Sequence, residues 1–166
     1  MNLKALKKTI PFKWRVQSKI GEYLIMIPYI DARDVMDTLD KVCEPQMWQS
    51  KFEHIGGSLH CSIGIKVGDE WVWKSDRGTP TKTEAVKGEA SDAFKRAAVM
   101  WGINREAYQV GTVKLKWKEY MGKPYPVDDN GAFLKGDKLF DKCNTLAKVE
   151  ELEYYNYEDE KTGGLE

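Results

Sequence analysis

The side chains able to do chemistry are few in some classes and crowded in others. Histidine and cysteine are scarce: His54 and His60, with Cys43, Cys61 and Cys143. No two cysteines stand in a Cys-x-x-Cys spacing, and a ligand set drawn from Cys43, His54, His60 and Cys61 has no recognised zinc spacing. Three cysteines also make no disulfide framework, which fits a reducing compartment. The glycine pairs Gly56-Gly57 and Gly163-Gly164 are not followed by Lys-Ser/Thr, so no loop is built to cradle nucleotide phosphates. Glu70 with Lys74 and Glu84 with Lys87 are acid–base neighbours of the kind a metal-dependent nuclease uses, and of the kind any charged surface carries. The crowded class is cations among aromatics: Phe12-Lys13-Trp14-Arg15, Trp71-Val72-Trp73-Lys74 and Lys116-Trp117-Lys118. Rings beside cations hold single-stranded nucleic acid by stacking on bases and neutralising phosphates. Strict alternation, however, sends such rings into a core.

The elements that must position these groups follow from periodicity. Residues 3 to 10 read as a short helix ended by Pro11. Phe12 to Gln17 alternates apolar with basic, the period of a half-buried strand, and Gly21 turns the chain into a second run, Tyr23 to Ile27, which Pro28 closes. From Asp31, a suitable N-cap, to Cys43 the residues Ala32, Val35, Met36, Leu39, Val42 and Cys43 form a helical apolar stripe. Trp48 to Ile55, Ser58 to Val67 and Glu70 to Arg77 read as an antiparallel meander joined at Gly56-Gly57 and at Gly68-Asp69. In its middle strand Leu59, Cys61, Ile63, Ile65 and Val67 share one face, and His60, Ser62, Gly64 and Lys66 the other. A second turn of two or of three residues gives Trp71 and Trp73 opposite facings.

Gly78-Thr-Pro breaks the sheet, and Thr81 or Thr83 caps the longest helix, which runs to Trp101 before Gly102. Its stripe, Val86, Ala90, Ala93, Phe94, Ala97 and Trp101, is rich in small residues, which permits close approach to the sheet or to a neighbouring subunit. Glu84, Lys87, Ser91 and Lys95 lie on the opposite face, with Arg96 beside them and four residues after Asp92. Val110 to Lys118 alternates Val113, Leu115 and Trp117 with Lys114, Lys116 and Lys118, a basic-faced strand, and Asp137 to Glu153 reads as an amphipathic helix. The fold class expected is α+β, a three-stranded meander on a long helix with an N-terminal hairpin and helix and a C-terminal helix.

The 166 residues carry 26 basic and 26 acidic side chains, but the neutrality is a cancellation. Residues 1–118 hold 20 basic and 14 acidic groups, and residues 119–166 hold 6 and 12. The acidic excess is concentrated after Val149, where seven carboxylates face Lys161 alone. The longest apolar stretch, Tyr23 to Ile30, has eight residues, against the roughly 20 a membrane span needs. A soluble cytoplasmic protein is expected, with 1–118 as its core, 119–148 as an extension and 149–166 as an acidic tail.

Lys87-Gly-Glu-Ala-Ser-Asp-Ala-Phe-Lys-Arg-Ala-Ala-Val-Met-Trp-Gly-Ile resembles the signature helix of the Rad fifty-two type of single-strand annealing proteins, and most of all their bacteriophage relatives. Pro28-Tyr-Ile-Asp-Ala-Arg-Asp-Val-Met-Asp-Thr-Leu-Asp, with Trp48, is similar to the family's first helix and the start of its sheet. The resemblance covers about residues 10 to 108. It implies a β-β-β-α core assembled into rings or filaments, with single-stranded DNA in a basic groove and annealing without nucleotide hydrolysis or cofactor. Lys95 and Arg96 match the family's paired backbone-contacting cations, while the next cation of that helix falls on Val99. Near the family's groove arginine stand Arg33 and, in ungapped alignment, Asp34. Its outer DNA site has a lysine where this chain has Gly56, Gly57 and Ser58, and a second lysine for which Arg77 and Lys82 stand in. Lys87, Lys13 and Arg15 complete the DNA-binding set. The expected partners are single-stranded DNA, further copies of the chain, and a host or phage replication or recombination protein reached through the acidic tail. A metal-dependent nuclease and a module that never touches nucleic acid are the competing classes.

Overall fold

The computed structural model describes residues 1–7, 10–79 and 85–149. Within them the chain is an α+β fold of two units. The first draws on residues 1–10 and 31–105, and the second on Pro11–Ile30 and the described part of Glu106–Glu153.

In the first unit, α1 (Ala32–Cys43) starts where Asp31 supplies a complete capping box. The Asp31 carboxylate accepts from the Arg33 and Asp34 backbone N–H groups at 2.9 and 3.3 Å, and the Asp34 carboxylate accepts from the Asp31 N–H at 2.8 Å. Such a box satisfies the helix's orphan donors and contributes about 1 kcal/mol. The helix buries Val35, Leu39 and Cys43, a narrower stripe than the periodicity suggests, because Met36 is exposed.

Strands β3 (Trp48–Ile55), β4 (Ser58–Val67) and β5 (Glu70–Arg77) form the expected meander, with β4 central. Both turns have two residues, since Ile55 pairs with Ser58 and Val67 with Glu70. Gly56 and Gly57 both take positive φ, as a tight hairpin of matching twist requires. On one face Cys61, Ile63 and Ile65 are fully buried under α2 (Ala85–Trp101), which contributes Ala93, Ala97 and Ala98. The small residues therefore serve close packing on this sheet. Gly78 shows the same closeness, because a Cβ there would collide with the Glu89 backbone carbonyl. The Trp101 indole N–H donates to the Ile63 carbonyl at 3.0 Å and locks helix to sheet. The proposed caps Thr81 and Thr83 lie outside the described residues.

The second unit is a four-stranded antiparallel sheet in the order β1 (Lys13–Ile20), β2 (Tyr23–Tyr29), β6 (Val113–Tyr120), β7 (Lys123–Pro126). Pro28 does not close β2: the strand runs on to Tyr29, beyond the Tyr23–Met26 segment that pairs with β6. There β2 has only β1 beside it, a position where a missing N–H is tolerated. Helix α3 (Gly136–Leu146) covers the face bearing Trp14, Leu24, Met26, Val113 and Leu115, and the Trp14 indole N–H donates to Asn144 Oδ1 at 2.7 Å.

Two terminal expectations are corrected. Of the helix expected over residues 3 to 10, Leu3–Lys7 is a 3-10 turn with Leu6 buried, and residues 8 and 9 lie outside the described residues. The helix expected to reach Glu153 stops at Leu146, because Lys148 takes a left-handed conformation (φ 54°) that cannot continue it.

Candidate nucleic-acid interface

The strand register decides which cations share a face. In an antiparallel ladder, directly paired residues point the same way. In the second unit Lys13 pairs with Tyr29 and Arg15 with Ile27, while Tyr23 pairs with Lys116 and Ile25 with Lys114. Lys118 then pairs with Tyr125, and Tyr120 with Lys123. All of these lie on the face opposite Trp14, Leu24 and Leu115, and so opposite α3. Two basic strand faces a hundred residues apart in sequence therefore become one basic, tyrosine-bearing surface. No strand position on this face carries an acid. Lys114, Lys116 and Lys118 are exposed, and the Arg15 guanidinium lies over the Tyr29 ring at 5.6 Å. Lys19 falls on the other face, because a bulge between Val16 and Ser18 shifts the register, and its Nζ sits 3.6 Å from the Trp117 ring centroid.

The first unit holds most of the remaining candidates. Lys95 and Arg96 are half-buried on α2. Arg96 does not pair with Asp92 along the helix. Its Nε lies 3.6 Å from Asp76 of β5, and the Asp92 carboxylate instead accepts from the Thr79 N–H at 2.9 Å. Arg77 pairs with His60 and points away from α2, so it is separated from Arg96 by the sheet itself. Arg33 is exposed in the first turn of α1. Lys87 belongs to the first turn of α2, and Lys82 lies outside the described residues.

The two-residue turn at Gly68-Asp69 settles the facing of Trp71 and Trp73. They pair with Lys66 and Gly64 and point away from α2, each 38% exposed, with ring centroids 6.2 Å apart. Gly64 leaves room for the Trp73 ring, since a Cβ there would meet it at 2.8 Å, and Lys51 Nζ stands 4.8 Å from that ring. Trp14, Trp48, Trp101 and Trp117 each donate an indole hydrogen bond to the protein. Trp71 and Trp73 make no such bond, and this separates surface rings from anchors. The signal missed in the sequence was turn length.

Enzymatic chemistry finds little support among the described residues. No group of three or more His, Cys, Asp or Glu could hold a metal ion there. His54 and His60 point to opposite faces of the sheet. The nuclease-like pair Glu70 and Lys74 is spread along a strand, where four residues span about 13 Å, and Lys74 Nζ instead donates to the Met100 carbonyl at the end of α2. Burial raises the thiol pKa of all three cysteines, to about 12 for Cys61 and Cys143. A thiol held neutral is a poor nucleophile. Among the described residues no helix is long and apolar enough to cross a membrane.

These features define an α+β scaffold of β-β-β-α type, joined to a second sheet with a basic, aromatic face. Comparison with known proteins gives the particular family. Residues 2–123 match the Rad52/22 family of double-strand break repair proteins, and the chain belongs to that family. It is 31% identical over 117 residues to the single-stranded DNA-binding protein DdrA of Deinococcus deserti, covering 69% of this chain and 58% of that protein. It is 32% identical over 97 residues to the DdrA of Deinococcus radiodurans, covering 57% of this chain and 46% of that one. The chain thus spans about half the length of these relatives. No solved structure matches it.

Proposed function

We propose that this chain binds single-stranded DNA and anneals complementary strands in recombination and repair, without nucleotide hydrolysis or a cofactor. The observation that carries the reading is the register that gathers Lys13, Arg15, Lys114, Lys116 and Lys118 with Tyr23 and Tyr29 on one sheet face whose strand positions carry no acid. Family membership and relatives named for binding single-stranded DNA support it. Such a face neutralises phosphates and leaves rings to stack on bases. Lys95, Arg96 and Arg33 supply further backbone contacts, with Lys87, Arg77 and Lys82 as weaker ones.

In this reading residues 1–118 carry annealing, 119–148 extend it, and the acidic 149–166 weaken non-specific binding or dock a host or phage replication or recombination protein. Several copies, as a ring or filament in a bacterial cytoplasm, would hold two strands at raised effective concentration, so that pairing is tested without covalent chemistry.

The experiment is annealing of two complementary labelled strands with and without Mg²⁺. Faster pairing of intact strands supports the reading; degradation in Mg²⁺ would replace it with a nuclease, and no binding even at low salt with a protein-interaction module.

A further inference from the structure

The match to the family ends at residue 123. Just there the chain turns through Met121 and Gly122, both at positive φ, and returns as β7. Around this hairpin Tyr120, Tyr125 and Phe133 meet edge to face, with ring centroids 5.7 to 6.2 Å apart. Lys135 Nζ lies 5.8 Å from the Tyr120 centroid and 5.4 Å from that of Tyr125. Three rings packed this way normally belong to a core, yet Tyr120 is 51% and Phe133 43% exposed, and Met121 at the tip is 85% exposed.

The cluster is held rigidly. Val127 bridges to Phe133, the Leu134 N–H donates to the Pro126 carbonyl at 2.9 Å, and the Asp128 carboxylate accepts from the Asn130 and Ala132 N–H groups. Two of the nearby acids are engaged, since Asp128 caps its own loop and Asp129 pairs with Lys142 at 2.9 Å, and Glu119, paired with Pro124, points to the opposite sheet face. Lys118 and Lys123 flank the rings on the same sheet face. A fixed, half-exposed aromatic group in a positive setting matches an extended strand of bases and phosphates better than an apolar helix, which would need a groove without cations.

We propose that Tyr120, Tyr125 and Phe133, with Lys135, form a base-stacking subsite that continues the basic face of the four-stranded sheet and receives the bases of a single strand crossing it. This rests on the reading of the chain as a single-strand binder, and it adds contacts from Tyr125, Phe133 and Lys135, which lie outside the family-matched region.

The test compares binding of an oligothymidylate with binding of an abasic strand of equal length and charge. The full chain should prefer the strand with bases about tenfold or more. Tyr120→Leu with Phe133→Leu, which keeps apolar bulk and removes two of the three rings, should cut that preference severalfold and leave the salt dependence unchanged. A preference left undiminished by the double substitution overturns the proposal, and a loss of self-association alongside it would assign the rings to a second copy. Photocrosslinking of a 5-iodouracil strand to the unsubstituted chain avoids any question of folding: adducts on Tyr120, Tyr125 or Phe133 support the subsite, and adducts confined to other aromatics sink it. Failure of the unsubstituted chain to bind either strand at low salt would instead sink the single-strand reading itself.

Discussion

Arg96 of α2 and Asp76 of β5 form an ion pair across the helix–sheet boundary, Nε to Oδ2 at 3.6 Å, with both side chains more than a third exposed. The carboxylate steers the guanidinium and also competes with any phosphate for it. At such exposure the pair contributes about 0.2–1 kcal/mol, which corresponds to at most about fivefold in affinity. Asp76→Asn should therefore strengthen single-strand binding by up to about fivefold at low salt, with the gain fading as salt rises. The asparagine oxygen can still accept from the Arg77 N–H, as Asp76 does now at 2.8 Å. Lys95→Ala with Arg96→Ala should act oppositely, weakening binding and flattening its salt dependence. Fluorescence anisotropy across a salt series reads both, and equal curves for all three proteins would remove this helix from the interface.

The sheet face makes a larger prediction. Each phosphate neutralised on a single strand contributes about 0.7 to the slope of log K against log salt. Lys114, Lys116 and Lys118 all sit on one face of β6. Their joint replacement by Ala should lower the slope by about 2, and the fold should persist because all three side chains are exposed. Replacing Lys19, which lies on the other face over Trp117, should leave the slope unaltered.

Much of this was legible locally. The meander's boundaries follow from strict alternation broken by glycine turns, and the start of α1 from Asp31. What local pattern cannot encode is which distant strand lies beside β2. Lys13 and Lys116 read separately as basic strand faces, and only the β2–β6 pairing, some ninety residues apart, joins them into one surface. The facing of Trp71 hinged on a single residue of turn length, since a slip of one residue turns every side chain over. The early end of α3 depends on the backbone at Lys148, a residue whose type does not announce a left-handed conformation.

Gly78 tests how tightly α2 is laid on the sheet. It is buried, donates its N–H to the Leu59 carbonyl at 2.8 Å and faces the Glu89 backbone, which cannot swing aside as a side chain can. Gly78→Ala should cost about 1–3 kcal/mol, the usual range for overpacking. Urea unfolding should show a lower midpoint with an unchanged slope. By contrast, Gly21→Ala meets no neighbouring atom within 4 Å, so its cost is confined to the strain of φ 56°.

The buried thiols set an alkaline limit. Desolvation raises Cys61 and Cys143 from 9.0 to about 12 and also raises Cys43, where a weaker opposing pull comes from the chain's amino terminus. Between those values the unfolded chain releases thiol protons that the folded chain retains, so the folded state binds more protons and loses stability as pH rises. The contribution is complete below pH 9 and is lost progressively towards pH 12. Urea midpoints should hold steady from pH 7 to pH 8.5 and fall above pH 9, and replacing Cys61 and Cys143 by Ala should shrink that fall while lowering stability at every pH. Iodoacetamide at pH 8 should modify the native thiols far more slowly than the denatured ones, and equal rates would show that the three cysteines are not held in the cores described for the two units.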